Sequence, residues 1–332
     1  MESRSKVLIT GINGFVGSHM AEECLSRGWE VHGTYRGFRS DLSNIRHLGK
    51  KETIYPCDLT DYAPIARILR QVQPDLIFHL AAQSYVPESW SAPRQTFDAN
   101  VIGTLNLMEA IRHESPASAV QFAGSSEEHG MVKPDECPIT EDSPLRPLSP
   151  YGVSKVAGDL LVRQYSDSYG IHAVVTRAFN HTGPRRGKVF AESDWCRQAV
   201  MAEMGLGPFT ISHGNLDAVR DYTDVRDIVK GYILAIQKGQ SGEVYQLTSG
   251  NGLVMRKVLA IIIAGVKADI RTVQDPKRMR PSDVPLLIGT TDKAKRLLGW
   301  EAKIDFEQTI SDLLDYWRNV LKKESVGREI GC

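Results

Sequence analysis

The sequence lacks an excess of either charge and lacks an apolar run of membrane length. Lys plus Arg and Asp plus Glu number 40 each among 332 residues. The overall charge therefore favours neither nucleic acid nor an anionic membrane as a partner. The longest strongly apolar run, Val258 to Val266, is too short to span a bilayer. The chain enters a strand-like run almost at once, so we expect no signal peptide and a cytoplasmic protein.

Cysteine is scarce and shows no paired spacing. The five cysteines are Cys24, Cys57, Cys137, Cys196 and Cys332. Neither a disulfide framework nor a metal-binding motif can be read from their positions. We therefore expect reduced thiols and no metal site.

The first half of the chain alternates between strand-like and helix-like segments. The expected strands are Lys6 to Thr10, Glu30 to Tyr35, Thr53 to Leu59, Asp75 to Ala81 and Ala119 to Ser125. This repeated β-α-β order predicts an α/β fold, a Rossmann doubly wound parallel sheet with helices on both faces.

After about Arg177 the pattern loosens into shorter elements. The expected elements there are strands at Phe209 to Ser212 and Val244 to Leu247, and helices at Asp224 to Gln237 and Phe306 to Leu321. We predict a dinucleotide-binding domain over residues 1–177, to which part of 215–248 returns. A smaller α/β C-terminal region over 178–325 is expected to bind substrate. Residues 326–332, beyond Glu324, are expected to form a loose tail.

A glycine motif joins the first strand to the first helix. Its candidate cofactor contacts are Gly11, Asn13, Gly14, Phe15, Val16 and Gly17. Glycine at the first position permits a tight turn, at the second a close approach to a pyrophosphate, and at the third close helix–strand packing. Because the motif lies between a strand and a helix, it predicts a nicotinamide dinucleotide site.

The choice of cofactor is decided near the end of the second strand. Arg36, with Arg39 close behind, stands where NAD enzymes usually carry a carboxylate. A guanidinium favours a 2′-phosphate, so the sequence favours NADP, with NAD as the alternative. The other expected cofactor contacts follow the third and fourth strands and are Asp58, Leu59, Leu80, Ala81 and Ala82.

A helix start places two candidate catalytic residues on one helix face. Ser149 is the expected N-cap, and Tyr151 and Lys155 follow four residues apart. A nearby ammonium and a positively charged nicotinamide would lower the pKa of the phenol, which predicts an acid–base pair for alcohol oxidation. Tyr151 and Lys155 are also expected to contact the cofactor.

The turn after the fifth strand carries the other candidate catalytic groups. Ser125 ends the strand, where ligands of such sheets bind, and we expect its hydroxyl to hold the substrate oxygen. Glu127 is interpreted as a base for a C–H proton beside a new ketone. Glu128 is expected to be a solvated loop charge, and His129 to be structural.

Over nearly its whole length the chain resembles the extended short-chain dehydrogenase/reductase family, closest to the GDP-mannose 4,6-dehydratases and the related GDP-4-keto-6-deoxymannose reductases. The segments that carry the resemblance are EVHGTYR, HLAAQSYV, GSSEEHG, SPYGVSK, FNHTGPRRG, GNLDAVRDYTDVRDIV and RPSDVPLLIG. The resemblance implies a GDP-sugar as substrate and a homodimer or homotetramer, with the loop from Arg36 to Asn44 as a candidate subunit contact. The substrate contacts it implies are Ser84, Asn180, Arg185, Val189, Arg220 and Arg280.

The resemblance also implies the roles of Ser125, Glu127, Tyr151 and Lys155 in an internal oxidation–reduction. Sugar C4 is oxidised, Glu127 removes the C5 proton, water leaves from C6, and the hydride returns to C6. Two departures keep the alternatives open. Phe15-Val16 stands where the dehydratases commonly carry Gln-Asp, as in many reductases, and the turn from Ser125 to Glu128 also resembles the reductases, some of which keep a glutamate at the position of Glu127. The alternatives are an NADPH-dependent 4-keto reductase and a dehydratase acting on a GDP-heptose.

Overall fold

The computed structural model describes residues 5–38, 40–49, 51–279 and 284–330. Its strands are β1 (Lys6–Thr10), β2 (Glu30–Tyr35), β3 (Thr53–Pro56), β4 (Leu76–His79), β5 (Ala119–Ser125), β6 (Ala173–Ala178), β7 (Asn180–Thr182), β8 (Thr210–His213), β9 (Val219–Asp224), β10 (Val244–Leu247), β11 (Gly252–Val254), β12 (Arg271–Gln274) and β13 (Leu286–Leu287). Its helices are α1 (Phe15–Ser26), α2 (Tyr62–Val72), α3 (Val86–Ser91), α4 (Pro93–Phe97), α5 (Gly103–Glu114), α6 (Pro150–Tyr169), α7 (Ala191–Glu203), α8 (Val225–Lys238), α9 (Met255–Ala264) and α10 (Phe306–Ile330).

The central sheet has seven strands in the order β10-β6-β5-β4-β1-β2-β3, and every pairing in it is parallel. Apolar residues of α1 and α8 pack on one face, and those of α2, α5 and α6 pack on the other. The predicted α/β fold, a Rossmann doubly wound sheet, is confirmed. The strand order reverses beside β1, which opens a crevice at the carboxyl ends of the strands.

The later part of the chain forms a second layer beside this crevice. Strands β11, β9 and β13 form a small sheet in which β7 also pairs with β9, and β12 pairs with β8. Helices α7, α9 and α10 enclose a separate apolar core, which contains the indole rings of Trp195 and Trp317. Strand β10 returns to the edge of the seven-stranded sheet.

Two predicted strands were too long, and side-chain hydrogen bonds explain both errors. Strand β3 ends at Pro56 instead of Leu59, because the Asp58 carboxylate accepts from the Thr60 amide and hydroxyl and turns the chain. Strand β4 ends at His79, because the amides of Leu80 and Ala81 donate to the Thr10 hydroxyl at 3.1 Å each.

The last helix is longer than the sequence predicted. Helix α10 extends to Ile330, past Glu324, where we expected a loose tail. Lys322, Lys323 and Glu324 are good helix formers, which explains why the helix continues past Leu321, its predicted end.

The described residues carry neither a membrane span nor a metal cluster. Within the described ranges, none of the helices combines the length and the apolar character that crossing a membrane requires. The same ranges contain no group of three or more His, Cys, Asp or Glu side chains arranged to hold a metal ion. Cys24, Cys57, Cys137 and Cys196 are free thiols, and Cys332 lies outside the described residues.

Candidate active site

A cleft of about 1030 Å³ lies at the carboxyl ends of the central strands. The glycine turn after β1 and the ends of β4, β5 and β6 form one side of it, and segments of the C-terminal region form the other. The predicted site residues that line the cleft are Gly11, Gly14, Phe15, Val16, Gly17, Leu80, Ala82, Ser84, Ser125, Glu127, Tyr151, Lys155, Asn180, Arg185, Val189 and Arg220. Residues from distant parts of the chain therefore meet in one concave site.

The glycine turn fits the pyrophosphate of a dinucleotide. Gly11 has a positive φ of 71°, and a Cβ atom on Gly17 would lie 2.2 Å from the Gly11 carbonyl oxygen, so these positions require glycine. The N-cap of α1 is Gly14, which offers no side-chain cap, and the first turn carries no acidic residue. The first amides of α1 are thus available to an anion, and the helix dipole favours one there.

Other predicted cofactor residues have structural partners away from the cleft wall. The Asn13 amide group donates to the Asp41 carbonyl oxygen at 2.9 Å, Leu59 is buried in the core beneath α2 and α5, and Ala81 packs beside Gly11. None of these three lines the cleft. Arg39 lies outside the described residues.

Arg36 and Asp58 form an ion pair that the sequence did not predict. The Arg36 Nε atom lies 3.2 Å from Asp58 Oδ2 across the ends of β2 and β3, and the arginine side chain is 77% exposed. An exposed pair of this kind contributes little to stability. Neither residue lines the cleft, and Arg36 can leave this weak pair at small cost.

Tyr151 and Lys155 lie in the first turns of α6. The helix starts as predicted: the Ser149 hydroxyl accepts from the Gly152 amide at 3.0 Å, and Pro150 is the first residue. The buried Tyr151 hydroxyl is hydrogen-bonded to the Ser125 hydroxyl. Lys155 Nζ donates to the Ala123 carbonyl oxygen at 2.7 Å and lies 6.0 Å from the centre of the Tyr151 ring. Serine, tyrosine and lysine are thus gathered at the end of β5.

The protein alone does not lower the pKa of the Tyr151 phenol. Burial raises that pKa above its ordinary value, the Ser125 hydrogen bond opposes the rise, and the Glu127 carboxylate adds to it. Burial also lowers the pKa of Lys155 to about 8. The predicted lowering of the phenol pKa by Lys155 together with a positively charged nicotinamide stays a prediction.

The two neighbouring glutamates behave differently. Glu127 is half-buried and lines the cleft beside Ser125. Glu128 is fully buried, so the expectation of a solvated loop charge is wrong. Its Oε1 accepts from the Ser125 amide at 2.7 Å, and its Oε2 accepts from Arg177 Nε at 3.0 Å. The pattern Ser-x-x-Glu from Ser125 to Glu128 is that of a capping box, which would have revealed the first of these bonds.

Arg185 lines the cleft, but its charge is already matched. Its guanidinium donates to both carboxylate oxygens of Glu22 on α1, at 2.8 and 2.6 Å. The arginine interpreted as a substrate contact is therefore held in an ion pair between α1 and the loop after β7. Of the two other predicted arginines, Arg220 lines the cleft and Arg280 lies outside the described residues.

Sequence reasoning missed four cationic residues that line the cleft: Arg186, Lys188, Lys277 and Arg278. The Arg186 guanidinium lies 3.4 Å above the Phe190 ring and 5.1 Å from the Phe15 ring, and it pairs with Glu192 at 3.3 Å. The PRRG segment contains Arg186 directly after Arg185, so it could have indicated both arginines, although only Arg185 was predicted. These cations suit an anionic ligand such as a diphosphate.

Known proteins are similar to this chain over nearly its whole length. A family model described as GDP-mannose 4,6 dehydratase matches residues 8–313. A GDP-mannose 4,6-dehydratase of Vibrio cholerae serotype O1 is 35% identical, over 94% of this chain and 93% of that protein. A GDP-6-deoxy-D-mannose reductase of Pseudomonas aeruginosa is 28% identical, over 96% of this chain and 99% of that protein. The structure of Pseudomonas aeruginosa RMD complexed with NADPH matches with a TM-score of 0.82 and 26% identity, covering 95% of this chain and 99% of that chain.

Proposed function

The chain belongs to the GDP-mannose 4,6-dehydratase family, and from that membership and the site we propose that it is a nucleotide-sugar 4,6-dehydratase, a lyase that converts a GDP-hexose to the GDP-4-keto-6-deoxyhexose. The observation that carries the proposal is the position of Glu127 on the cleft wall beside Ser125 and Tyr151. Simple alcohol oxidation has no use for a carboxylate there, whereas elimination next to a ketone needs a base.

Four residues of the cleft have separate tasks in this reaction. Ser125 holds the C4 hydroxyl group of the sugar, and Tyr151 takes the proton of that group. Lys155 is held beside Tyr151 by the hydrogen bond that it donates to the Ala123 carbonyl oxygen. Once C4 is a ketone, Glu127 removes the acidified C5 proton, and hydroxide leaves C6 as water with the equivalent of the proton that Tyr151 took from the C4 hydroxyl group. Glu127 returns a proton to C5 when the double bond is reduced at C6. The chemistry that a nicotinamide dinucleotide supplies when bound is hydride transfer, from C4 and back to C6. The atoms balance to loss of one water without net consumption of reductant.

NADP is the proposed cofactor, with NAD as the alternative. The glycine turn from Gly11 to Gly17 would hold the pyrophosphate, and Arg36 would hold the 2′-phosphate. The Pseudomonas aeruginosa reductase structure was solved with NADPH, which supports this choice.

Replacing Arg36 with alanine should weaken NADP binding by about tenfold, about 1.4 kcal/mol, because a charge-assisted hydrogen bond to the phosphate is lost. NAD has no phosphate at this position, so its dissociation constant should change by less than about twofold. Fluorescence titration of both cofactors measures the two constants. Arg70→Ala is the matched control, since Arg70 is also exposed and paired, with Glu114, but lies in the last turn of α2, away from the ends of β2 and β3. Equal weakening of NADP and NAD would contradict the role given to Arg36.

The runner-up function is an NADPH-dependent 4-keto reductase. Phe15 in the glycine motif favours it, as does the similarity to the Pseudomonas aeruginosa reductase. In both readings the substrate is a GDP-sugar, and a GDP-heptose is the alternative to GDP-mannose.

One assay separates the dehydratase from the reductase. Purified protein incubated with GDP-mannose and a catalytic amount of NADP⁺ should release a 4-keto-6-deoxy product over many turnovers, because the hydride is returned within each turnover. The product is followed by mass spectrometry as loss of one water. Turnover of the keto sugar alone, with stoichiometric loss of NADPH, would identify a reductase instead.

Three further proposals concern the domain boundary, the oligomeric state and the location of the protein. The proposed boundary between the NADP-binding domain and the nucleotide-sugar-binding region lies at residues 177 and 178. A homodimer or homotetramer is proposed, because α6 exposes Val153 and Leu160 seven residues apart on one helix face. The proposed location is the cytoplasm.

A further inference from the structure

The Glu128 carboxyl group belongs to a buried cluster behind the catalytic turn. Its side chain has no exposed surface, and those of Arg177 and Asp159 are 3% and 0% exposed. Arg177 Nε donates to Glu128 at 3.0 Å and to Asp159 at 2.9 Å, and Arg177 NH1 donates to the Glu141 carbonyl oxygen at 3.0 Å. The cluster joins the turn after β5 to β6 and α6.

The backbone leaves room for this cluster. Arg177 of β6 lies directly opposite Gly124 of β5 in the parallel ladder. A Cβ atom on Gly124 would lie 2.7 Å from Glu128 Oε1 and 3.3 Å from Arg177 Cγ. A larger residue at position 124 would therefore displace the Glu128 carboxyl group or the arginine that holds it.

Glu128 in turn fixes the residues that face the sugar. Its Oε1 accepts from the Ser125 amide at 2.7 Å, and the Ser125 hydroxyl accepts from the Glu127 amide at 3.2 Å. On the other side, Gly152 of α6 packs closely on the Glu127 carbonyl oxygen, where a Cβ atom would approach to 2.7 Å. The positions of Ser125 and Glu127 relative to Tyr151 therefore depend on a bond that Glu128 makes.

We propose that Glu128 is a positioning residue, which holds the turn of Ser125 and Glu127 in register with Tyr151 by anchoring the Ser125 amide to Arg177. This inference rests on the proposed dehydratase function, and it adds a residue that does not contact the substrate. The buried cluster is thus a support for catalysis and not only for folding.

The charges around Glu128 agree with this role. Burial and the neighbouring Asp159 carboxylate raise its pKa, and the Arg177 guanidinium opposes them. Lys155 and Tyr151 of α6 also feel its charge. When ionised, the carboxyl group has both oxygens satisfied, one by the Ser125 amide and the other by the Arg177 guanidinium.

Two substitutions separate positioning from simple stability. Glu128→Leu keeps the approximate size but removes both acceptors, and a displaced turn should lower the single-turnover rate constant for GDP-mannose dehydration about 100-fold. Glu128→Gln keeps one acceptor, so the rate constant should fall by about tenfold. The KM for GDP-mannose should change by less than about threefold in both, because the cationic lining of the cleft is untouched.

The matched control is Glu203→Gln, which removes another partly buried carboxylate that accepts from Arg318 at 2.7 Å, far from the turn. It should lower stability without lowering the single-turnover rate constant. A second readout is hydrogen exchange at the Ser125 amide, which should be at least about tenfold faster in Glu128→Leu and unchanged in Glu203→Gln.

The outcomes are distinct. A wild-type protein that does not dehydrate GDP-mannose would refute the proposed function, while the exchange measurement would still decide the role of Glu128 in holding the turn. If Glu128→Leu fails to fold, Glu128→Gln carries the test. The positioning role would be overturned if a folded variant kept the wild-type rate constant and only the fraction of active protein fell. Wild-type hydrogen exchange at the Ser125 amide would overturn it as well.

Discussion

Tyr151→Phe should reduce dehydration of GDP-mannose by about 10²- to 10⁴-fold, the contribution that a positioned general acid–base group usually makes. The substitution removes one hydroxyl group and leaves the buried ring in place, so binding of cofactor and GDP-sugar should stay within about threefold of the wild type. The C4 hydroxyl would then have no group to take its proton. Steady-state turnover and direct titration of both ligands measure the two effects separately.

Tyr165→Phe is the matched control for this result. Tyr165 is also buried on α6, and its hydroxyl donates to Glu109 at 2.6 Å, away from the cleft. The same chemical change there should cost stability but leave turnover near the wild-type value. Turnover of Tyr151→Phe at more than about a tenth of the wild-type rate would exclude the phenol as the acid–base group.

The central fold could be predicted because its determinants are local. Strands β1, β2, β5 and β10 have the predicted bounds, since each is a short β-forming run bounded by turn residues. The errors lie where one side chain intervenes: the Thr10 hydroxyl ends β4 by accepting from two amides that a longer strand would have used in the ladder. Strand β6 of the central sheet was not predicted, nor was any strand of the small C-terminal sheets except β8. Strands β7, β11 and β13 have only two or three residues and carry no periodicity, and the six-residue β9 consists mostly of polar residues.

The site could be predicted only as far as its motifs extend. Short motifs in the sequence predicted the glycine turn, Ser125, Glu127, Tyr151 and Lys155, and all of these line the cleft. Pairs distant in sequence could not be read this way. The Glu22 partner of Arg185 is 163 residues away, and the Arg177 partner of Glu128 is 49 residues away. Each pair changed the interpretation of a charged residue, because Arg185 is held by Glu22 and Glu128 is buried against Arg177 instead of being solvated.

Glu127→Gln should separate oxidation from elimination. The amide keeps the size and the hydrogen bonding of the side chain but cannot take the C5 proton, so release of the 4-keto-6-deoxy product should fall by about 10²- to 10⁴-fold. Oxidation at C4 depends on Ser125, Tyr151 and the cofactor, and it should persist. Reduced nicotinamide absorbance should therefore appear and remain after GDP-mannose is added to the variant with NADP⁺.

Deuterium labelling provides the decisive measurement for Glu127. In D₂O the wild type should incorporate deuterium at C5, because the proton that Glu127 removes exchanges with solvent before C5 is protonated again, whereas Glu127→Gln should incorporate almost none. Glu136→Gln is the control, since Glu136 also follows β5 but pairs with Arg146 outside the cleft. Incorporation by Glu127→Gln at the wild-type rate would assign the base to another residue. Loss of both C4 oxidation and labelling would place Glu127 in the first step and favour the reductase.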